Sequence, residues 1–338
     1  MSVRPEKILA LQFKYLGDAV LLTPALRALK AHRPDAELHL LVPAELAPIF
    51  QNLDWITRVW ALPRRRGQAR AGETWPLIRA LRRENFDRSV DFASNDRGAI
   101  VSFLIGARER LGWADPGGFL GRKYLYHRRV VPPSDPPHES ARLALLLTAW
   151  NVPPPVSLAA EIRPDPALAA AAEALLPSRQ AIVCHVASSQ AKKEWPLTQW
   201  AELHRRLRAA GREVVFTTGR GDRESALMNG LRELAPDAVI LPLIEELPLL
   251  LAVLARATAL VSGDTGPLHL AAGLGVPTVS LYGPTHPGRW APAGERHRHL
   301  TGGTCACSSH SAICTTSPHC LAQITPEQVL AALKSLDC

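Results

Sequence analysis

Two α/β halves, each alternating buried strands with helices, are what this sequence predicts, on three observations. At 338 residues the chain exceeds one ordinary core, which makes two domains the default. Short apolar runs alternate with helix-period segments throughout. A proline-rich stretch, Asn151-Val-Pro-Pro-Pro155 and Arg163-Pro-Asp-Pro166, interrupts that alternation near the middle and reads as a linker. The expected division is 1–155 and 156–338, with a ligand cleft at the carboxyl ends of the strands.

The first strand is Lys7-Ile-Leu-Ala-Leu-Gln-Phe13, a continuous apolar run suited to burial on both faces of a parallel sheet. It stops at Lys14-Tyr-Leu-Gly-Asp18; a helical pattern from Ala19 to His32 and a strand from Glu37 to Val42 complete a βαβ unit. Asp54–Leu62 and Phe86–Phe92 read as further strands around an arginine-rich helix near Leu77–Glu84. After the linker, strands are expected at Ala181–Ala187, Glu213–Thr218, Ala238–Pro242, Ala259–Ser262 and Thr278–Tyr282. Helices are expected at Leu197–Ala210, Glu224–Leu234, Leu247–Arg256 and Pro267–Leu274, and a last one is capped by Thr325 with Pro326 at its first position.

Composition narrows the function. Hydrophobic residues at 47% and charged residues at 21% give a normal globular balance. The longest apolar runs, Leu143–Trp150 and Leu247–Leu254, fall far short of the ~20 residues that span a bilayer. No signal-peptide pattern opens the chain, so a cytoplasmic location is expected. The net charge of +8 is uneven: residues 1–155 carry 23 Lys+Arg against 15 Asp+Glu, and residues 156–338 carry 16 of each. Arg64, Arg65, Arg66 and Arg70 cluster, with Arg79, Arg82 and Arg83 close behind. Such a face is either simply solvated or meets an anionic partner; no nucleic-acid motif accompanies it, so none is expected.

Three segments carry chemistry. Gly17-Asp18, followed by Thr23-Pro-Ala, sits at the turn after strand one, where Asp18 is either a helix N-cap or a group facing the crevice. Ser188-Ser189-Gln-Ala-Lys-Lys193-Glu-Trp-Pro196 lies between a strand and a helix, where amides, hydroxyls and a lysine can meet an anion. The P-loop pattern is absent. Gly263-Asp264-Thr265-Gly266-Pro-Leu-His269 also opens a helix after a strand, placing the Thr265 and Gly266 amides for phosphate. In Gly219-Arg-Gly-Asp-Arg-Glu224 a carboxylate can accept from a ribose.

Taken in order, Gly17-Asp18…Thr23-Pro, Lys193-x-Trp-Pro, Asp264-Thr-Gly-x-x-His and Tyr282-Gly-Pro-Thr285 resemble the lipopolysaccharide heptosyltransferases over nearly the whole chain. The resemblance implies a GT-B fold of two facing Rossmann-like domains, acceptor on the N-terminal side and ADP-heptose on the C-terminal side. It implies Asp18 as general base and Ser188, Ser189, Lys193, Glu224, Asp264, Thr265, Gly266 and His269 in the donor site. Gly17 and the arginines Arg64, Arg65 and Arg66 fall to the acceptor, an anionic lipid-linked Kdo or phosphorylated core sugar, with peripheral contact at the inner membrane. No cofactor is expected. Two positions depart from the family: Gln12 stands where some members carry a basic residue, and His185-Val-Ala-Ser-Ser189 is poorer in glycine than many. Four cysteines crowd one segment, Cys305, Cys307, Cys314 and Cys320; their spacing does not match paired C-x2-C, so no metal is assigned and bare, metal-bound and oxidised states stay open.

Overall fold

Among the described residues every strand runs parallel to its neighbours, in two six-stranded sheets. The structure, a computed structural model, describes residues 4–63, 71–114, 117–176, 178–303, 305 and 319–337. The chain divides into two compact units, Met1–Leu158 and Ala159–Cys338.

The N-terminal unit runs β1 (Lys7–Leu11), α1 (Leu16–Leu21), α2 (Thr23–His32), β2 (Glu37–Pro43), β3 (Arg58–Leu62), α3 (Ala71–Arg83), β4 (Arg88–Asp91), α4 (Asp96–Ile105), β5 (Glu109–Trp113), β6 (Arg128–Val130) and α5 (Glu139–Leu146). Its strand order is β3-β2-β1-β4-β5-β6, the doubly wound Rossmann order. After Lys7, β1 is apolar and buried on both faces, with Ile8 to Leu11 at most 1% exposed. Leu9, Leu11, Leu41, Trp60, Ile78, Leu81, Phe86 and Ile105 close one core layer.

The C-terminal unit runs α6 (Ala169–Leu175), β7 (Ile182–His185), α7 (Leu197–Ala209), β8 (Val214–Thr217), α8 (Asp222–Leu234), β9 (Val239–Ile240), α9 (Leu247–Leu254), β10 (Ala259–Gly263), α10 (Gly266–Gly273), β11 (Thr278–Tyr282), α11 (Pro287–Trp290), β12 (His297–Thr301) and α12 (Pro326–Lys334). Its order, β12-β11-β10-β7-β8-β9, repeats the Rossmann pattern. Trp195, Trp200 and Phe216 form an edge-to-face stack inside its core. Cys184 on β7 is fully buried, and burial pushes its thiol up. Thr325 caps α12 in a complete capping box with Gln328, and Pro326 occupies the first turn.

Several boundaries differ from the sequence reading. The helix expected over Ala19–His32 is two helices: Pro24 has no N–H to give, and a new helix starts at Thr23 with Leu22 as its cap. Only Arg58–Leu62 of the strand expected from Asp54 pairs with β2; Asp54 to Thr57 turn before it. The elements α4, β5, β6 and α5 lie in a stretch whose glycines and prolines had masked any period, and α6, α11 and β12 were also not anticipated.

Candidate functional site

In each sheet the strand order reverses between two adjacent central strands, β1/β4 in one unit and β7/β10 in the other, and the candidate residues gather at the carboxyl ends of those pairs. In the C-terminal unit β7 and β10 pair in register, His185 opposite Ser262. The segment after β7 makes a 3-10 turn at Ala191–Lys193, and β10 leads through Asp264 and Thr265 into α10. The two loops touch at Gly263: a Cβ there would meet the Lys193 carbonyl at 2.9 Å. Only glycine admits that approach without a shift of backbone.

Across the contact, Lys193 Nζ donates to Asp264 Oδ2 at 2.8 Å, and His269 Nε2 lies 3.9 Å from Asp264 Oδ1, an ion-pair rather than a hydrogen-bond distance. All three side chains are largely covered, 17%, 11% and 5% exposed in that order. Burial opposes ionisation of Asp264, but His269 and Lys193 outweigh it and hold the carboxyl well below the usual range. Tyr282, at the end of β11, is pushed far up by burial and by the charge of Asp264, so it stays a neutral phenol. Thr265 is the N-cap of α10 and its hydroxyl lies 3.1 Å from Ser262 Oγ; with Pro267 in the first turn, the Gly266 end of the helix presents amides without intrahelical acceptors. The Ser188, Tyr282 and Thr285 hydroxyls and His269 Nδ1 are buried and find no hydrogen-bond partner among the described residues. Buried polar atoms of this kind, beside a lysine and a helix N-terminus, suit a phosphorylated ligand.

Of the expected donor residues, Lys193, Asp264, Thr265, Gly266 and His269 therefore share one locality. Ser188 and Glu224 share a second through a residue that sequence reasoning missed. The Arg223 guanidinium bonds the Ser188 carbonyl and Glu194, and reaches Glu224 Oε1 at 3.1 Å, while Glu194 accepts from the Ser188 amide at 3.2 Å. Gly221, at φ +143°, makes room for the Glu224 carboxylate, which lies 2.4 Å from where a Cβ would stand. Arg223 stood in the quoted segment beside Glu224, but nothing in one dimension ties it to Ser188. Ser189 is exposed next to this network.

In the N-terminal unit Gly17 and Asp18 lie in α1, after β1. Asp18 is not the N-cap: Tyr15 holds that position in extended backbone with no side-chain cap, and Asp18 is the third helical residue, half-buried. There its charge still complements the helix dipole. Gln12 is buried and folds onto its own loop, its Oε1 accepting from the Lys14 amide at 3.2 Å. Arg64, Arg65 and Arg66 lie outside the described residues.

The same strand ends hold a group the sequence did not disclose. Asp91, opposite Leu11, is completely buried, accepting from Tyr126 Oη at 2.6 Å and from the Ala93 amide at 2.9 Å. Burial pushes its carboxyl up to about 6 against those two donors. Gly98 and Gly112 clear the space: a Cβ at Gly98 would stand 2.3 Å from Asp91 Oδ2, and one at Gly112 2.5 Å from the Tyr126 ring. Of the clustered cysteines, Cys320 is buried against Gly283 and Cys305 packs on the same core; Cys307 and Cys314 lie outside the described residues. Among the described residues no three His, Cys, Asp or Glu gather as a metal site.

The sequence profile of glycosyltransferase family 9 (heptosyltransferase) matches residues 74–318, more than two thirds of the chain. The chain belongs to that family. This glycosyltransferase is 26% identical to lipopolysaccharide heptosyltransferase 2 of Escherichia coli (strain K12), with 98% of each chain covered. Its fold matches a family 9 glycosyltransferase from Veillonella parvula DSM 2008 with a TM-score of 0.81 at 18% identity, over 99% of this chain and 98% of that one. The E. coli ADP-heptose lipopolysaccharide heptosyltransferase II superposes with a TM-score of 0.78 at 24% identity, covering 98% of both chains. The two Rossmann-like sheets are thus those of the GT-B heptosyltransferases. Among the described residues, no helix is long and apolar enough to cross a membrane.

Proposed function

We propose that this enzyme transfers L-glycero-D-manno-heptose from ADP-heptose to a Kdo or heptose hydroxyl of the lipopolysaccharide inner core, with inversion and at the cytoplasmic face of the membrane. The observation that carries the reading is the Lys193–Asp264–His269 cluster at the end of β7 and β10, beside the amides of α10. A cation fixed by a buried carboxylate and a helix N-terminus together stabilise a departing diphosphate, and they do so at no cost in reorganisation during the reaction. The solved relative named for ADP-heptose, and the relative named for lipopolysaccharide heptose transfer, support this choice of donor and acceptor class.

Asp18 acts as general base. It takes the proton of the acceptor hydroxyl, whose oxygen attacks the anomeric carbon while the bond to the ADP oxygen breaks on the opposite face. Lys193 and the Thr265 and Gly266 amides receive the negative charge that collects on the diphosphate. His269 keeps Asp264 ionised, and Asp264 keeps Lys193 in place. Glu224 and Ser188, tied together by Arg223, hold the nucleoside end. No cofactor enters this scheme. Gly17 and the arginines Arg64, Arg65 and Arg66 are assigned to the acceptor, an anionic sugar–lipid that matches the surplus of positive charge in the N-terminal half of the sequence.

Calorimetric titration with ADP, UDP and GDP, followed by transfer assays from ADP-heptose to Kdo-lipid A and to heptosylated core, tests the reading. Tight binding of ADP alone and transfer to one of the two acceptors are expected. Preference for UDP or GDP would retain the fold and overturn the heptose donor, and nucleotide binding without transfer to either acceptor would overturn the inner-core assignment.

A further inference from the structure

The N-terminal unit leaves an apolar ridge in water. On α4, Ile100 and Phe103 stand one turn apart and are 44% and 49% exposed, although a helix packed on a sheet ordinarily turns its apolar residues inward. Beside them runs the segment 117–125, which ends in a 3-10 turn (Arg122–Leu125) and exposes Phe119, Leu120 and Tyr124, the last two at 103% and 76%. Two contacts bind the segment to α4. At the helix start, Asp96 Oδ1 accepts from the Phe119 amide at 3.2 Å and lies 3.4 Å from Arg122 Nη1. Further along, the Arg110 guanidinium sits 5.4 Å from the Phe103 ring centre while its Nε donates to the Leu125 carbonyl at 2.7 Å. The five exposed apolar residues therefore belong to one outer layer.

Its surroundings are predominantly basic. From the start of α4, residues 96–129 contain seven cations, Arg97, Arg108, Arg110, Arg122, Lys123, Arg128 and Arg129, against three acids, Asp96, Glu109 and Asp115. Lys123 and Arg129 are exposed and make no ion pair among the described residues, and Lys123 lies 5.1 Å from the Tyr124 ring centre. Apolar side chains projecting into water, a tyrosine with a polar tip and neighbouring exposed cations match the layering of an anionic bilayer surface, acyl chains below and phosphates above.

We infer that α4 and the segment 119–125 form the surface by which this enzyme rests on an anionic lipid leaflet, Leu120 and Tyr124 entering the headgroup region and Lys123 and Arg129 meeting lipid phosphates. The inference rests on the proposed lipid-linked acceptor, and it names the surface that brings the enzyme to it.

Co-sedimentation with acceptor-free vesicles of phosphatidylglycerol and phosphatidylethanolamine, against pure phosphatidylcholine, tests the surface independently of transfer. The wild-type protein is expected on anionic vesicles only, with binding that weakens as salt rises. The double variant Leu120→Ser/Tyr124→Ser is expected to partition about tenfold less or weaker still, the effect of withdrawing one or two large apolar side chains. Lys123→Glu/Arg129→Glu is expected to lose roughly fivefold per charge removed at low salt. Both variants sit at exposed positions, and unchanged circular dichroism confirms that they fold. Transfer to an acyl-free soluble acceptor should be unaltered in both, and transfer to acceptor embedded in vesicles should fall. Wild-type indifference to anionic vesicles, or variants that bind as the wild type does, would overturn the surface even with transfer intact. So would a dimer that the leucine–tyrosine variant converts to monomer, since the ridge would then be a contact between copies. Vesicle binding by the ridge in an enzyme inactive on every heptosyl acceptor would instead fault the proposed function.

Discussion

Lys193 and Asp264, 71 residues apart in sequence, meet at 2.8 Å between two loops that only a glycine allows to touch. On the proposed function the pair couples donor binding to the integrity of the β7–β10 strand ends: Lys193 is held by Asp264, and Asp264 is held by Lys193 and His269 together. Lys193→Ala should weaken ADP binding by about ten- to a hundredfold, as measured by calorimetry. It should also lower stability by roughly 1–3 kcal/mol, since a mostly covered carboxylate is left with His269 alone. An unchanged ADP affinity would remove Lys193 from the donor site.

Gly263→Ala tests the loop contact without touching a charge. Its Cβ would stand 2.9 Å from the Lys193 carbonyl, a backbone atom that cannot swing aside. A loss of about 1–3 kcal/mol in thermal or denaturant unfolding is expected, and kcat/KM should fall as the lysine is displaced. Wild-type activity and stability in this variant would show that the loop has slack.

Asp18→Asn keeps the size of the side chain and removes the proposed base. Transfer should drop about a hundred- to ten-thousandfold, while ADP binding in the C-terminal unit stays at the wild-type value. A variant that transfers heptose at the normal rate would place the base elsewhere.

Two buried groups give opposite dependences on pH. The Asp91 carboxyl, raised to about 6 from an unfolded value near 4, contributes stability that is complete below about pH 4 and lost as pH rises through about 6. Asp91→Asn cannot ionise, so the melting temperature of the variant relative to the wild type should rise between pH 4 and pH 7 by roughly 5–10 °C, the equivalent of about 3 kcal/mol. A difference that stays flat over that range would mean that Asp91 is not held neutral.

His185, buried beside the Thr217 hydroxyl at 3.0 Å, is lowered to about 4 by burial. Its neutral form stabilises the folded state above about pH 6.5, and that contribution is lost as pH falls towards 4. His185→Gln should flatten the acid limb of the stability profile, measured by scanning fluorimetry from pH 8 to pH 4. An acid limb of wild-type steepness would assign it to other groups, His297 first among them, which burial and its arginine neighbours also lower to about 4.

Features that neighbouring residues along the chain decide between them were legible before any fold was known. The apolar continuity of Ile8–Leu11 and Ile182–Cys184 demanded burial on both faces, hence parallel sheets with helices on each side. The turns after β1, β7 and β10 carried their polar residues in segments short enough to recognise, so Asp18, Lys193 and the Asp264-Thr-Gly-x-x-His run were legible in one dimension. Tertiary structure alone decided which of these groups meet. Lys193 finds Asp264 because β7 and β10 are neighbours across the strand-order reversal, and Arg223 finds Ser188 because β8 flanks β7 on the other side. Asp91 was invisible for the same reason: an aspartate at a strand end has many uses, and only the fold brings Tyr126, Gly98 and Gly112 around it. The ridge of Phe103, Leu120 and Tyr124 was hidden in a stretch whose glycines and prolines gave no period, and exposure is a property of the packed chain, not of any window of its sequence.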